Sequence, residues 1–113
     1  MPDDIPFDAI LTASAAAGEA TRLRLLALLA EAELTVSELV TILGQSQPRI
    51  SRHLKLLAEA GLIERHREGA WVFFRIAQMG LVAGFARSLV AMLAPDDLRL
   101  KADRARLGEV RET

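Results

Sequence analysis

Within the run GQSQPRISRHLKLLAEAG, from Gly44 to Gly61, lie Arg49, Arg52, His53 and Lys55, with Gln47 and Ser51 among them. These are cations and hydrogen-bonding groups with no nucleophile–base pairing, so the chemistry they suit is recognition of an anionic, hydrogen-bonding surface. Arginine matches guanine O6 and N7, glutamine matches adenine N6 and N7, and lysine suits phosphate. On a helix advancing about 100° per residue, Ile50, Leu54 and Leu57 gather on one side. Pro48, Arg52, Lys55 and Glu59 lie opposite, flanked by Arg49 and Ser51, while Gln47 projects from the first turn. A recognition helix enters the major groove N-terminus first. Base contacts are therefore expected from Gln47, Arg49, Ser51 and Arg52, and a phosphate contact from Lys55. The helix N-terminus and the Ser46 hydroxyl would add phosphate contacts. His53 projects near the edge of the apolar side and reads as a packed or capping histidine.

Other chemistries find no residues. The chain has no cysteine, which removes disulfides, thiolate metal sites and thiol redox sensing. Two histidines are too few for a usual zinc site. There is no Ser/His/Asp or Cys/His grouping and no phosphate-binding loop, and Asp3-Asp4 and Asp96-Asp97 read as solvated acids near helix ends. Neither catalysis nor a cofactor is expected. The net charge of −1 conceals a division. Residues 1–44 hold seven acids and two bases, whereas residues 45–75 hold six bases and three acids. A basic patch on an otherwise acidic chain is the footprint of a nucleic-acid binder, the plain alternative being a solvated face.

A helix of this kind needs a scaffold, and 113 residues suggest one domain, of a size that often gains stability by pairing. Half the residues are hydrophobic, as in a globular chain. The start MPDDIPFD is acidic where a secretory signal would be basic, and Leu23–Ala30 is too short and too charged to span a bilayer. A cytoplasmic location is expected.

Helical periodicity marks Phe7–Ala17 and Ala20–Ala32. Thr35-Val36-Ser37-Glu38 fits a capping box opening a short helix to Leu43, and Gly44 suits a left-handed stop. Pro48 falls in the first turn of the basic helix, where its missing N–H costs nothing. Beyond Gly61 the period becomes two: a strand over Leu62–His66, a turn at Arg67-Glu68-Gly69 and a strand over Ala70–Ile76. A last helix is expected over Gln78–Leu93, stopped by Pro95, and the charged tail Leu98–Thr113 is a helix or a linker. A short helix, a tight turn, a basic helix and a hairpin make a winged helix-turn-helix, mainly α with a β-hairpin wing. Arg65 and Arg67 of the wing suit backbone or minor-groove contact, with His66 and Arg75 as weaker candidates. Trp71 and Phe73 are expected to cover the hairpin against a helix, and Leu56 to meet the wing or a partner.

GEATRLRLLALL and ELTVSELVTILGQSQPRISRHLKLLAEAGLIERHREGAWVFFRI resemble the ArsR family of bacterial winged-helix repressors, over about residues 5–94. The resemblance implies a homodimer on a palindromic operator, released by an effector, with DNA contacts from Gln47, Ser51 and Arg52. It also implies dimerisation through the first and last helices, which carry Phe7, Ile10, Leu11 and Val82, Phe85, Leu89. Metal-sensing members carry Glu-Leu-Cys-Val-Cys where this chain reads Glu33-Leu34-Thr35-Val36-Ser37, and others place Asp and His in a last helix that has neither here. The metal role therefore does not carry over. The usual Asp-Pro before TRLR is Glu19-Ala20, which should weaken a helix cap.

The expected product is a dimeric domain over residues 1–95, followed by a charged helix or linker over residues 96–113. It would bind double-stranded DNA as a repressor released by a non-metal small molecule, held in a cavity between the first and last helices. The alternatives are a winged-helix interaction module, or the regulatory part of a longer S-adenosylmethionine-dependent methyltransferase, whose connector the tail LKADRARLGEVRET resembles.

Overall fold

Local side-chain hydrogen bonds start the second, third and fourth helices. The computed structural model describes residues 4–112, so Asp3 and Thr113 lie outside the described residues. Its order is α1 (Phe7–Ala17), α2 (Ala20–Glu31), α3 (Val36–Leu43), α4 (Gln47–Glu59), β1 (Ile63–Glu68), β2 (Trp71–Ile76), α5 (Ala83–Ala91) and α6 (Leu98–Glu112). At α3 the capping box is complete: Glu38 N–H donates to Thr35 Oγ1 at 3.2 Å, and Thr35 N–H donates to Glu38 Oε1 at 2.9 Å. The α2 start is not left weak. Glu19 caps it, its carboxylate accepting from Arg22 N–H at 2.9 Å, because a longer acid reaches the same donor.

Leu25, Leu26, Leu28 and Leu29 make α2 the central column of the core. Leu39 and Ile42 of α3 and Ile50, Leu54 and Leu57 of α4 close on it. Each such side chain contributes about 1.5–3 kcal/mol by leaving water, which makes the angle between α3 and α4 a property of the core. Gly44 ends α3 at φ 65°, a conformation that side chains resist, and sets the tight turn into α4.

The two strands pair antiparallel from Ile63↔Ile76 to Glu68↔Trp71. The turn is therefore Gly69-Ala70, and β1 extends two residues past the expected His66. A third segment joins them: Leu34 and Phe74 exchange backbone hydrogen bonds at 3.0 and 2.8 Å. This bridge ties the approach to α3 to the wing.

The helix expected over Gln78–Leu93 is α5, and it starts later than periodicity predicts, at Ala83. The Glu64 carboxylate accepts from the N–H groups of Gln78 and Met79 at 2.8 and 2.9 Å, and Gly80 takes φ 99°. Both hold the segment out of helical geometry. Val82 is consequently not a surface residue of a helical stripe; it is 4% exposed within the core of one chain and has little left to offer a second.

The tail forms α6, which packs on α2 and α3. Asp103, 2% exposed, accepts two bonds from Arg24 of α2, both at 2.9 Å. Arg106 also reaches Asp103 and donates to the Ile42 carbonyl near the end of α3, both at 3.3 Å. The bidentate carboxylate raises the Arg24 pKa above its ordinary value despite partial burial. No helix among the described residues is long and apolar enough to cross a membrane.

Candidate nucleic-acid interface

Ile50, Leu54 and Leu57 are the buried residues of α4, so its opposite side must face outward. Gln47, Arg49, Arg52 and Lys55 are exposed and Ser51 is partly so. The Ser46 hydroxyl caps the helix, accepting from Arg49 N–H at 3.4 Å. Gln47 Nε2 donates to Ser51 Oγ at 2.8 Å, which orients both side chains along the first turn.

The wing extends this surface. Arg65 and Arg67 are exposed on β1, and their cross-strand partners Phe74 and Val72 place them on the hairpin face that carries the core residues. Ser51, Lys55 and Arg65 line one cleft of about 300 Å³, between α4 and the hairpin. Among the described residues, the side chains of Arg49, Arg52, Lys55, Arg65 and Arg67 make no ion pair within the chain. Arg24, Arg75 and Arg106 are by contrast committed to acids. Arg75 thus belongs to the fold: it pairs with Glu64 at 3.0 Å. His66 lies 2.9 Å from Glu33 and stacks on Phe73 at 5.7 Å, on the hairpin face away from Arg65 and Arg67.

His53 is packed, as its position on the wheel suggested. Its Nδ1 sits 3.1 Å from Arg22 Nη1, and Arg22 also donates through Nε to the Ala16 carbonyl at 2.5 Å. Burial holds the His53 pKa below its ordinary value; the Arg22, Arg49 and Arg52 charges push the same way, against Glu19. The neutral imidazole accepts from Arg22, which stitches α4 to the end of α1 and the start of α2. At Glu19 burial pushes the pKa up, but the bond from Arg22 N–H and the nearby Arg22 charge bring it below its ordinary value. Gln45 Nε2 donates to the buried Thr21 hydroxyl at 3.1 Å, fixing the turn before α4 to α2. Sequence reasoning missed Glu19, Arg22 and Gln45 as positioning residues. The one available signal was an acid standing where a helix cap belongs, immediately before TRLR.

The expectation for Trp71 is corrected. Trp71 is 64% exposed and covers nothing, because it stands at the free end of the hairpin. Leu56 is exposed at 41% and, with Leu11, Ala15 and Ala16, lines an open groove of about 430 Å³ between α1 and α4. Phe7 and Leu11 are exposed on α1, and Ile10, Phe85 and Leu89 are partly so. A cavity of about 660 Å³ lies at the end of α2, floored by Leu34, Phe73 and Ile76 and bounded by Val110 of α6. It is not between the first helix and α5. Among the described residues, no group of three His, Cys, Asp or Glu is placed to hold a metal ion.

Comparison with known proteins agrees with this geometry. The sequence model of the bacterial regulatory protein arsR family matches residues 19–65. The arsenic resistance transcriptional regulator ArsR1 of Pseudomonas putida is 41% identical over 96 residues, covering 79% of this chain and 72% of that one. The arsenical resistance operon repressor of Escherichia coli is 52% identical over 58 residues, and the match spans half of each chain. Among solved structures, the homodimeric winged helix-turn-helix DNA-binding domain Mb0332 from Mycobacterium bovis, a possible ArsR-family regulator, superposes with TM-score 0.64. It is 32% identical, covering 74% of this chain and 78% of that one.

Proposed function

The chain belongs to the arsR family of bacterial regulatory proteins, and from that premise we propose that it is a repressor that binds a palindromic DNA operator as a homodimer. It is a regulator and not an enzyme. The observation that carries the reading is the outer surface of α4 and the wing. Among the described residues, Arg49, Arg52, Lys55, Arg65 and Arg67 project from a core-anchored scaffold and form no ion pair within the chain. Gln47, Arg49, Ser51 and Arg52 read base edges; Ser46 and Lys55 hold phosphate; Arg65 and Arg67 reach the flanking backbone or minor groove. Phe7, Ile10 and Leu11 of α1 with Phe85 and Leu89 of α5 supply the apolar area for a second copy. The two recognition helices then address half-sites about 34 Å apart.

The effector is a non-metal small molecule. Soft metals and metalloids are held by thiolates, and the chain has no cysteine, so the arsenic named for its relatives does not transfer. This reading places the protein in the cytoplasm with its operator. Residues 1–95 act as the DNA-binding and dimerisation unit, and the charged segment that follows buttresses it through α6 (Leu98–Glu112), which packs on α2 and α3.

The test is selection of bound duplexes from a random-sequence pool, with sedimentation of the complex. Enrichment of an inverted repeat and two chains per duplex are expected. Enrichment of no sequence, together with a single chain at all concentrations, would refute the reading.

A further inference from the structure

We propose that Trp71 is a DNA-contacting residue at the end of the wing, packing its indole on the sugar–phosphate wall of the minor groove beside each half-site. This rests on the reading of α4 and the wing as the DNA-binding surface. A single exposed apolar side chain is ordinary on a protein surface, so position carries the argument. Trp71 is 64% exposed and directly follows the two-residue turn Gly69-Ala70. It pairs across the strands with Glu68, and the next pair is Arg67↔Val72. Successive residues of a strand face opposite ways, so Arg67 and Trp71 flank the end of the hairpin on its two faces. A groove that receives this end meets a cation on one wall and an aromatic ring with one N–H donor on the other.

The acid beside the indole does not oppose this. The Glu68 carboxylate is 75% exposed, 3.9 Å from His66 Nε2, and is free to turn into solvent. On the same face Phe73 is occupied by the His66 ring, and Arg75 by Glu64. Among the described residues, Trp71 is the member of that face left without a partner ring or ion. Charge selects the occupant: Arg65 and Arg67 on the neighbouring face attract a polyanion. An indole serves any sequence, since a sugar or a base offers it an apolar face.

The chain has one tryptophan and no tyrosine, so Trp71 is its own reporter. The full chain is titrated with a duplex selected from a random pool while tryptophan emission and gel mobility are both followed. Emission should change along the same isotherm as the mobility shift and return when salt is raised. Trp71→Ala should weaken binding about five- to tenfold, with an unchanged melting temperature and unchanged base preference, and Trp71→Phe should restore part of the loss. Retarded DNA with constant emission and a Trp71→Ala affinity equal to the native one would overturn the inference and leave the proposed function standing. Emission that follows protein concentration without DNA would overturn it in favour of a second copy covering the ring. Absence of any DNA binding by the native chain would overturn both.

Discussion

Arg52 and Arg22 are both arginines on the helix-turn-helix unit, yet they do different work. Arg22 spends its donors inside the chain, on the Ala16 carbonyl and the His53 imidazole. Arg52 spends none, and its place early on the outer side of α4 is the basis for the proposal that it reads bases. Arg52→Ala should cost about 1–3 kcal/mol of affinity and relax selectivity at one base pair, where Lys55→Ala weakens all sequences alike. Competition gel shifts against singly substituted duplexes would show it, and equal losses on every duplex would remove Arg52 from the reading set. Glu64 supplies a second prediction at this scale. Bonds from the Gln78 and Met79 N–H groups hold its pKa below the ordinary value, burial opposes them, and Arg75 assists. A depressed folded pKa means that the unfolded chain takes up the proton first as pH falls. The stabilisation is therefore complete above the ordinary carboxylate range and disappears as pH drops through the lower folded value. The native chain should melt higher than Glu64→Gln at neutral pH, with the two curves converging in acid. A gap that is independent of pH would show that the carboxylate charge is not what holds the turn before α5.

At the scale of elements, α6 docks through charge at Asp103 as well as through the buried Leu107. Asp103 is nearly sealed while Arg24 keeps about a quarter of its side chain exposed, at 23%. Removing the arginine strands a buried carboxylate on Arg106 alone; removing the acid leaves a guanidinium that water can still reach. Arg24→Ala should therefore destabilise by about 3–5 kcal/mol and Asp103→Ala by less. Urea unfolding of the two variants tests the order, and the reverse order would contradict this account of the pair. The same contrast explains what could be read in advance. The α3 capping box, the Gly44 stop and the Ser46-Gln47-Pro48 start of α4 are written in neighbouring residues, and the structure places them where local rules put them. The late start of α5 is set by a carboxylate fourteen residues upstream, and the Leu34–Phe74 bridge joins segments forty residues apart. Arg24 meets its acid on another helix altogether, and periodicity carries no trace of such meetings. The outward residues of α4 were legible because one apolar stripe fixes the opposite side. The exposure of Trp71 was not, because alternation along a strand names a face without saying whether anything covers it.

At the scale of the whole molecule, the acidic first third and the basic middle are joined by one core. Leucines of α2 brace α3 and α4, while Arg22, Gln45 and the Leu34 bridge tie the turn and the wing to the same column. Helix and wing are therefore presented as one rigid basic surface. A second copy, joined through α1 and α5, would double it and repeat it along the duplex. The measurement that bears most directly on this is the affinity of the native chain for its selected duplex across a range of salt concentrations. A steep linear fall of log affinity against log salt is expected, with a slope of about −0.9 for each phosphate neutralised, and a shallower line when Lys55 is replaced by alanine. Failure to bind duplex DNA at low salt, or an affinity that salt leaves unchanged, would contradict it.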